Sequence, residues 1–247
     1  MHQFFIEDHQ IGKEYITITG SDVNHIKNVL RMRSGEKIRV SSASGHDFFC
    51  EIAELGDAFV QADILDETVP KTELSSRIYL FQALPKGERM EYVIQKAVEL
   101  GVYEIIPVTM KYCVVKLDEK RAEKKQKRWQ AISESAAKQS KRSRIPRVHP
   151  VMSYADALVY AGSCAVRLVP YENERGMRAT AEALEKLKSA GSVSIFIGPE
   201  GGFAPDEIEA ARQSMDVISL GRRILRTDTA AICAMSLVML TLEECEE

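Results

Sequence analysis

Two short segments hold the residue types that could do chemistry, and each follows a run that reads as a β-strand. The first is Gly198-Pro199-Glu200-Gly201-Gly202-Phe203, directly after residues 193–197. Ligands of α/β sheets bind beyond the carboxyl ends of strands. Glycines and a proline there make a tight turn that lets backbone approach a ligand closely. The segment lacks the Gly-Lys-Ser/Thr ending of a phosphate loop and is not Gly-x-Gly-x-x-Gly. Glu200 would repel a phosphate and suits a cationic or hydroxyl-rich ligand. The same letters suit a bare strand-to-helix turn equally well, since Pro205-Asp206-Glu207 has the composition of a helix start.

The second segment is Leu220-Gly221-Arg222-Arg223-Ile224-Leu225-Arg226-Thr227-Asp228-Thr229. It joins an expected strand at residues 217–220 to a nearly all-apolar helix containing Ile232, Met235, Leu237 and Leu240. Burying arginine is costly unless it is paired. These arginines are therefore bound to neighbouring acids, of which Asp228 and Glu200 are nearest at hand, or aimed at an anionic partner. Ion-pair scaffolding suits Arg222 and Arg223 better than it suits Arg226, which stands where the helix begins.

A third feature is electrostatic. Residues 116–147 hold 12 Lys and Arg against 4 Asp and Glu, although the whole chain sums to −3. Trp129, Ile132 and Ala136 space as one helical face, so the first half of this run reads as an amphipathic helix with a solvated outer side. The second half crowds Lys138, Lys141, Arg142, Arg144 and Arg147 around serines and Pro146, a loop rich in phosphate-binding groups. Arg31 and Arg33 form a smaller pair that, alone, reads as a solvated helix end.

Positioning such segments requires a sheet. Residues 78–84, 104–108, 165–169, 193–197 and 217–220 read as strands, with helices between them at residues 90–98 and 180–188. Gly101 stands where a C-cap glycine belongs. This alternation predicts an α/β domain with a largely parallel sheet. The first seventy residues differ. Ser21 looks like the N-cap of a short helix, and residues 37–41, 48–55 and 59–65 read as strands of a small barrel. The polar stretch 66–76, with Pro70, is the expected boundary, giving domains at residues 1–72 and 73–247.

The 247 residues are 45% hydrophobic and 28% charged, ordinary for a globular chain. The longest apolar stretch, residues 230–240, is too short to span a bilayer, and residues 1–8 do not read as a signal peptide. Cys50, Cys113, Cys164, Cys233 and Cys245 form no Cys-x-x-Cys pair and no zinc spacing, so reduced thiols in the cytoplasm and no metal are expected.

Taken together, Gly198-Pro199-Glu200-Gly201-Gly202 and Leu220-Gly-x-Arg-Ile-Leu-Arg-Thr-x-Thr-Ala230 resemble the RsmE-type methyltransferases of the SPOUT superfamily. These methylate N3 of a uridine in 16S ribosomal RNA of the small subunit with S-adenosyl-L-methionine. The resemblance covers the whole chain. Arg31 after Leu30, Lys86 with Glu91 and Lys96, Glu99-Leu100-Gly101, Gln139 with Arg142, and Pro170-Tyr171-Glu172 fall on similar residues of that family. Two departures stand out: Asp228 replaces the usual Glu, and Ala204 replaces a Ser-type cap.

The resemblance implies a PUA-like β-barrel, then a mostly parallel α/β sheet with helices on both faces, tied in a trefoil knot. It places the methyl donor on Leu168, Pro170, Gly198, Glu200, Gly201, Gly202, Leu220, Gly221, Ile224 and Leu225. It makes Arg226 the group that stabilises charge on the uracil. Asp228 is the first candidate base, with Glu200 and solvent behind it. RNA would meet Arg31, Arg33, Lys86, Gln139, Lys141, Arg142, Arg144 and Arg147. The last helix would form a homodimer through the C-terminal domain. The rivals are a non-catalytic RNA-binding or ribosome-assembly protein, a SPOUT enzyme acting at another RNA position, and an α/β transferase binding another nucleotide.

Overall fold

The structure is a computed structural model that describes residues 1–69 and 72–245. Pro70, the proline of the expected boundary, lies outside the described residues. The chain divides into two units, Met1–Glu73 with Ala137–Ile145, and Leu74–Ala136 with Pro146–Glu247. The expected boundary was linear. Instead the segment Ala137–Ile145 belongs with the first unit, although it lies deep within the second in sequence.

In the first unit, β1 (His2–Ile6), β2 (Tyr15–Thr19), β3 (Lys37–Ser42), β4 (Asp47–Leu55) and β5 (Phe59–Thr68) form one sheet in the order β1-β3-β4-β5-β2. The β1–β3 pair is parallel and the others are antiparallel. Period-two alternation sends Ile16 and Ile18, Ile38 and Val40, and Val60 and Ala62 into one buried cluster. β1 and β2, which carry short apolar runs, were not expected. Between β2 and β3 lies α1 (Ser21–Asn24), continued by a π-helical turn at His25–Val29. Its N-cap is Gly20 at φ +79°, not Ser21, which is the first helical residue. A left-handed entry of that kind favours glycine over serine.

The second unit holds β6 (Arg77–Ala83), α2 (Arg89–Glu99), β7 (Val102–Thr109), α3 (Glu119–Ser140), β8 (Arg147–Val148), β9 (Met152–Ser153), α4 (Tyr154–Ala161), β10 (Val166–Pro170), α5 (Arg178–Leu187), β11 (Ser192–Ile197), α6 (Pro205–Arg212), β12 (Asp216–Ile218) and α7 (Thr227–Glu243). Its seven strands follow the order β12-β10-β11-β6-β7-β8, with β9 also on β7, and every pair is parallel. The β-branched run of β11 is buried on both sides, as parallel strands covered by helices are. α3 runs on through Ser140, so Lys138 and Gln139 lie on its last turn, not in a loop.

Candidate active site

Parallel strands deliver their carboxyl ends to one edge, and β10, β11 and β12 are neighbours in that order of contact around β10. The three loops that follow them therefore meet. The loop after β10 is tied to the end of β12 by the Tyr171 N–H, which donates to the Ile218 carbonyl at 3.0 Å. The loop after β11 is the glycine turn, closed by the Gly202 N–H on the Pro199 carbonyl at 2.9 Å. The loop after β12 runs into α7. Between them lies a cleft of about 610 Å³, within the usual range for a small-molecule site.

Of the residues expected to hold the donor, Pro170, Gly198, Glu200, Gly201, Gly202, Leu220, Gly221, Ile224 and Leu225 line this cleft. Leu168 does not: it lies within β10, paired with Ile195 and Asp216, and is fully buried in the core. Arg226 lines the cleft and Asp228 does not.

The glycines serve different ends. Gly202 (φ +72°) and Gly221 (φ +106°) adopt backbone that side chains resist. Gly201 does not. It is bare because a Cβ there would stand 2.9 Å from the Cβ of Tyr112.

Glu200 is committed to scaffolding. Its Oε1 accepts from the Lys86 N–H at 2.9 Å and from Arg89 Nη1 at 2.6 Å. Burial works to raise its pKa, but those bonds, its own N–H and the Arg89 charge outweigh burial and hold the carboxyl below its ordinary value. A carboxylate so held is a poor proton acceptor. Arg226 is the N-cap of α7 with extended backbone (φ −67°, ψ 154°) and an exposed side chain that makes no capping bond. Neither Arg226 nor Arg222 nor Arg223 forms an ion pair among the described residues, so the scaffolding account of those arginines finds no support. Asp228, on the first turn of α7, keeps a buried Oδ1 without a hydrogen-bond partner. At the Ala204 N-cap the missing hydroxyl is offset from the other direction: Glu207 Oε2 accepts from the Ala204 N–H at 2.9 Å.

Two further residues hold the site together. Buried Thr227 donates from Oγ1 to the Gly198 carbonyl at 2.7 Å and accepts from Gln82 Nε2 at 3.0 Å. One hydroxyl thereby fixes β6, the glycine turn and the start of α7 to one another. Gln82 is fully buried in β6, a strand that also carries Arg77 and Tyr79, and its partner is 145 residues away, so no local sequence signal marks the tie.

The basic residues divide between the units. Arg31, Arg33, Gln139, Lys141 and Arg144 are exposed on the first, and Lys86 and Arg147 are exposed on the second. Arg142 is different. It is only 4% exposed, and its guanidinium grips both oxygens of Glu73. Its expected contact with RNA phosphate is corrected by this pairing, which consumes the charge inside the first unit.

The description "RNA methyltransferase domain" applies to a family model matching residues 72–239, and "RNA methyltransferase PUA domain" to one matching residues 18–65. The chain belongs to this RNA methyltransferase family. Ribosomal RNA small subunit methyltransferase E of Bacillus subtilis is 36% identical over 96% of both chains. The protein of that name from Mycobacterium tuberculosis is 34% identical over 90% of this chain and 84% of its own. Among solved structures, the Neisseria gonorrhoeae methyltransferase E bound to S-adenosyl methionine superposes with a TM-score of 0.84 at 32% identity, covering 96% of this chain and 95% of that one. This chain thus shares its fold with a methyltransferase whose structure is bound to S-adenosyl methionine. Among the described residues no His, Cys, Asp and Glu group could hold a metal ion, and no helix is long and apolar enough to cross a membrane.

Proposed function

We propose that this chain transfers a methyl group from S-adenosyl-L-methionine to N3 of a uridine in 16S ribosomal RNA of the small subunit. The observation that carries the reading is the cleft itself, where the glycine turn, the loop after β10 and the arginine segment meet. Its residues fit the donor. Gly202 and Gly221 give backbone without side chains, Leu220, Ile224, Leu225 and Ile197 give apolar walls, and Glu172 and Glu200 give acceptors for hydroxyl or cationic groups. When bound, S-adenosylmethionine supplies an electrophilic methyl on its sulfonium.

The chain's own residues do the rest. Uracil N3 carries an imide proton that must leave before its lone pair can attack. Arg226, exposed at the cleft and unpaired, stabilises the negative charge that then develops. Asp228, two residues beyond Arg226 on the first turn of α7, is the acceptor we assign to the proton; its Oδ1 is buried outside the cleft lining, so it takes the proton only once its side chain turns toward the cleft. Glu200, gripped by Lys86 and Arg89, positions the turn. Positioning carries much of the rate.

The remaining parts of the reading concern assembly. Arg31, Arg33, Lys86, Gln139, Lys141, Arg144 and Arg147 meet RNA. α7 forms a homodimer face, supported by Leu240 at 61% exposure beside half-buried Leu237 and Met239. The loops around the cleft are threaded as a trefoil knot, and the enzyme works in the cytoplasm. The test is incubation with labelled methyl donor and small ribosomal subunits, followed by mapping of the modified base. Label at uracil N3 is expected. Donor binding with no label in the RNA would overturn the enzymatic reading in favour of a ribosome-assembly protein.

A further inference from the structure

Transfer to uracil N3 requires an unpaired base, because N3 carries the proton that a base pair would use. A base presented to a cleft also leaves its stack, and aromatic side chains commonly take the place of the stacked neighbours. Four aromatic rings surround the glycine turn, and three of them are engaged. Phe203 is buried and lies so close to Gly198 that a Cβ there would stand 2.9 Å from its ring. Tyr154 packs at 6.5 Å from Phe203 and donates its hydroxyl to the Glu207 carbonyl at 2.9 Å. Tyr171 lines the cleft, meets Phe203 edge-on at 6.5 Å, and accepts from Asn173 Nδ2 at 3.0 Å. Tyr112 is the fourth. It is 45% exposed and makes no hydrogen bond or ring contact among the described residues.

Tyr112 lies in the loop that joins β7 to α3, and this loop is clamped. The Lys111 N–H donates to Glu207 Oε1 at 2.8 Å, while Oε2 of that same buried carboxylate accepts from the Ala204 N–H at 2.9 Å. On the other side of Tyr112, the Cys113 N–H donates to the Met110 carbonyl at 3.1 Å, and buried Cys113 Sγ accepts from the Met110 N–H at 3.4 Å. Glu207 thus fastens the loop to the start of α6, just past the glycine turn, and bare Gly201 leaves room for the stem of the Tyr112 ring. A ring held on a fixed loop loses little freedom when it binds. A lone exposed tyrosine is ordinary on a protein surface. One fixed on both flanks against the turn that walls the cleft, and left without a partner, is placed for a ligand.

Resting on the methyl-transfer reading above, we infer that Tyr112 is a stacking platform for an RNA base next to the target uridine. Tyr112 stands at the rim and does not line the cleft, so the base it takes belongs to a flanking nucleotide and not to the uracil that reacts. Every base offers a π-face, so the contact positions the strand and tolerates sequence. The hydroxyl plays no part. The rival account is mechanical: the ring wedges the turn at Gly201 and meets no RNA.

The experiment compares the full-length parent with Y112F, Y112L and Y112A. It reads S-adenosylmethionine affinity, and affinity at several salt concentrations for a small-subunit ribosomal RNA fragment carrying the mapped uridine, with and without the base on either side of it. Y112A should weaken RNA binding about 5- to 150-fold, the usual range for one stacked base. Its slope of log affinity against log salt should stay parental, because no charge is lost. Y112L keeps bulk beside Gly201, so it should bind the donor as the parent does and still lose RNA affinity. Y112F should match the parent. Removing the stacked base should weaken binding to the parent and weaken binding to Y112A little further. Parental RNA affinity in Y112A and Y112L, a flanking-base penalty undiminished in Y112A, or an RNA loss that only tracks a loss of donor affinity would overturn the inference and leave the enzymatic reading intact. So would a loss seen with whole small subunits but not with the RNA fragment, which marks a protein contact. A parent that binds donor and RNA yet transfers no label would overturn the enzymatic reading, while RNA affinity in Y112A and Y112L still decides the stacking.

Discussion

Replacing Thr227 by valine removes one oxygen and nearly nothing else, which isolates the tie between the cleft's walls. The Thr227 hydroxyl donates to Gly198 O at 2.7 Å and accepts from Gln82 Nε2 at 3.0 Å. Each bond contributes about 0.5–1.5 kcal/mol net. The groups left behind differ. Gln82 is fully buried, but its amide keeps a bond to the Ala83 carbonyl at 3.0 Å, so it is not wholly orphaned. Gly198 borders the cleft, where water can take its carbonyl. The penalties of stranded groups, about 1–3 kcal/mol each when fully unsatisfied, are therefore only partly incurred, and a total of about 2 kcal/mol follows. For a chain of this size that is a fall of about 4–8 °C in Tm. The freed glycine turn should also weaken donor binding at least about tenfold, which is ~1.4 kcal/mol. Thermal unfolding and calorimetric titration with S-adenosylmethionine check both effects, with T227S as the variant that keeps the oxygen. Parental Tm and donor affinity in T227V would refute the idea that this hydroxyl joins the walls.

Arg226→Ala should keep the fold and donor affinity yet lower methyl transfer about 100- to 1,000-fold, the usual cost of one charge-stabilising donor; a rate near parental would remove its role. Glu200 has a depressed pKa, so its bonds to Lys86 and Arg89 stand fully above the ordinary carboxylate value of 4.5 and are lost as pH falls through the lower folded-state value. Donor affinity followed downward in pH should hold through 4.5 in the parent, and E200Q should be weaker at neutrality and lack that acid limb. Arg142→Met should destabilise the first unit by about 2–4 kcal/mol, less than breaking a fully enclosed pair because Glu73 is 23% exposed. Urea unfolding measures it, and donor affinity should not change. Burial pushes the Cys50 thiol up to about 12 and the Cys164 thiol up to about 11, so at neutral pH a thiol reagent should modify exposed Cys233 and Cys245 first. Modification of Cys233, which α7 carries, should slow relative to Cys245 as protein concentration rises if that helix is the dimer face.

The cleft was legible in the sequence because its marks are local. Glycines gather where strands end, and an arginine stands at a helix start between an apolar pair and Thr227-Asp228-Thr229. The Gln82–Thr227 tie was not legible, since its partners are 145 residues apart and neither is unusual in its own neighbourhood. Arg142 shows the same failure more sharply. In a run of cations its composition reads as phosphate-binding, and only Glu73, 69 residues earlier, turns it into a buried structural pair. The resemblance put Leu168 at the cleft, but it still lies within β10, where Leu168 and Val169 are both buried in a sheet covered on its two faces, and the cleft lining begins only at Pro170. Gly201 and Gly202 look alike in sequence and differ in cause. One makes room for Tyr112, and the other holds a left-handed turn.

The charges around the cleft bear on the role proposed for Arg226. Arg89, Arg223 and Arg226 line it with Glu172 and Glu200. Arg89 is spent on Glu200, which leaves Glu172 against two guanidiniums that form no ion pair among the described residues. The cleft is thus slightly positive before anything binds, and a sulfonium adds to that charge. Such a site gains most from a ligand that is negative where the arginines point. In the proposed mechanism uracil becomes negative only as its N3 proton departs, so the guanidinium of Arg226 would be worth more in the transition state than in the ground state. That difference, and not tight binding of the neutral base, is what accelerates a reaction. The Lys86 N–H and Arg89 hold Glu200, and Arg226 forms no ion pair among the described residues, so its charge is the one we assign to the developing anion.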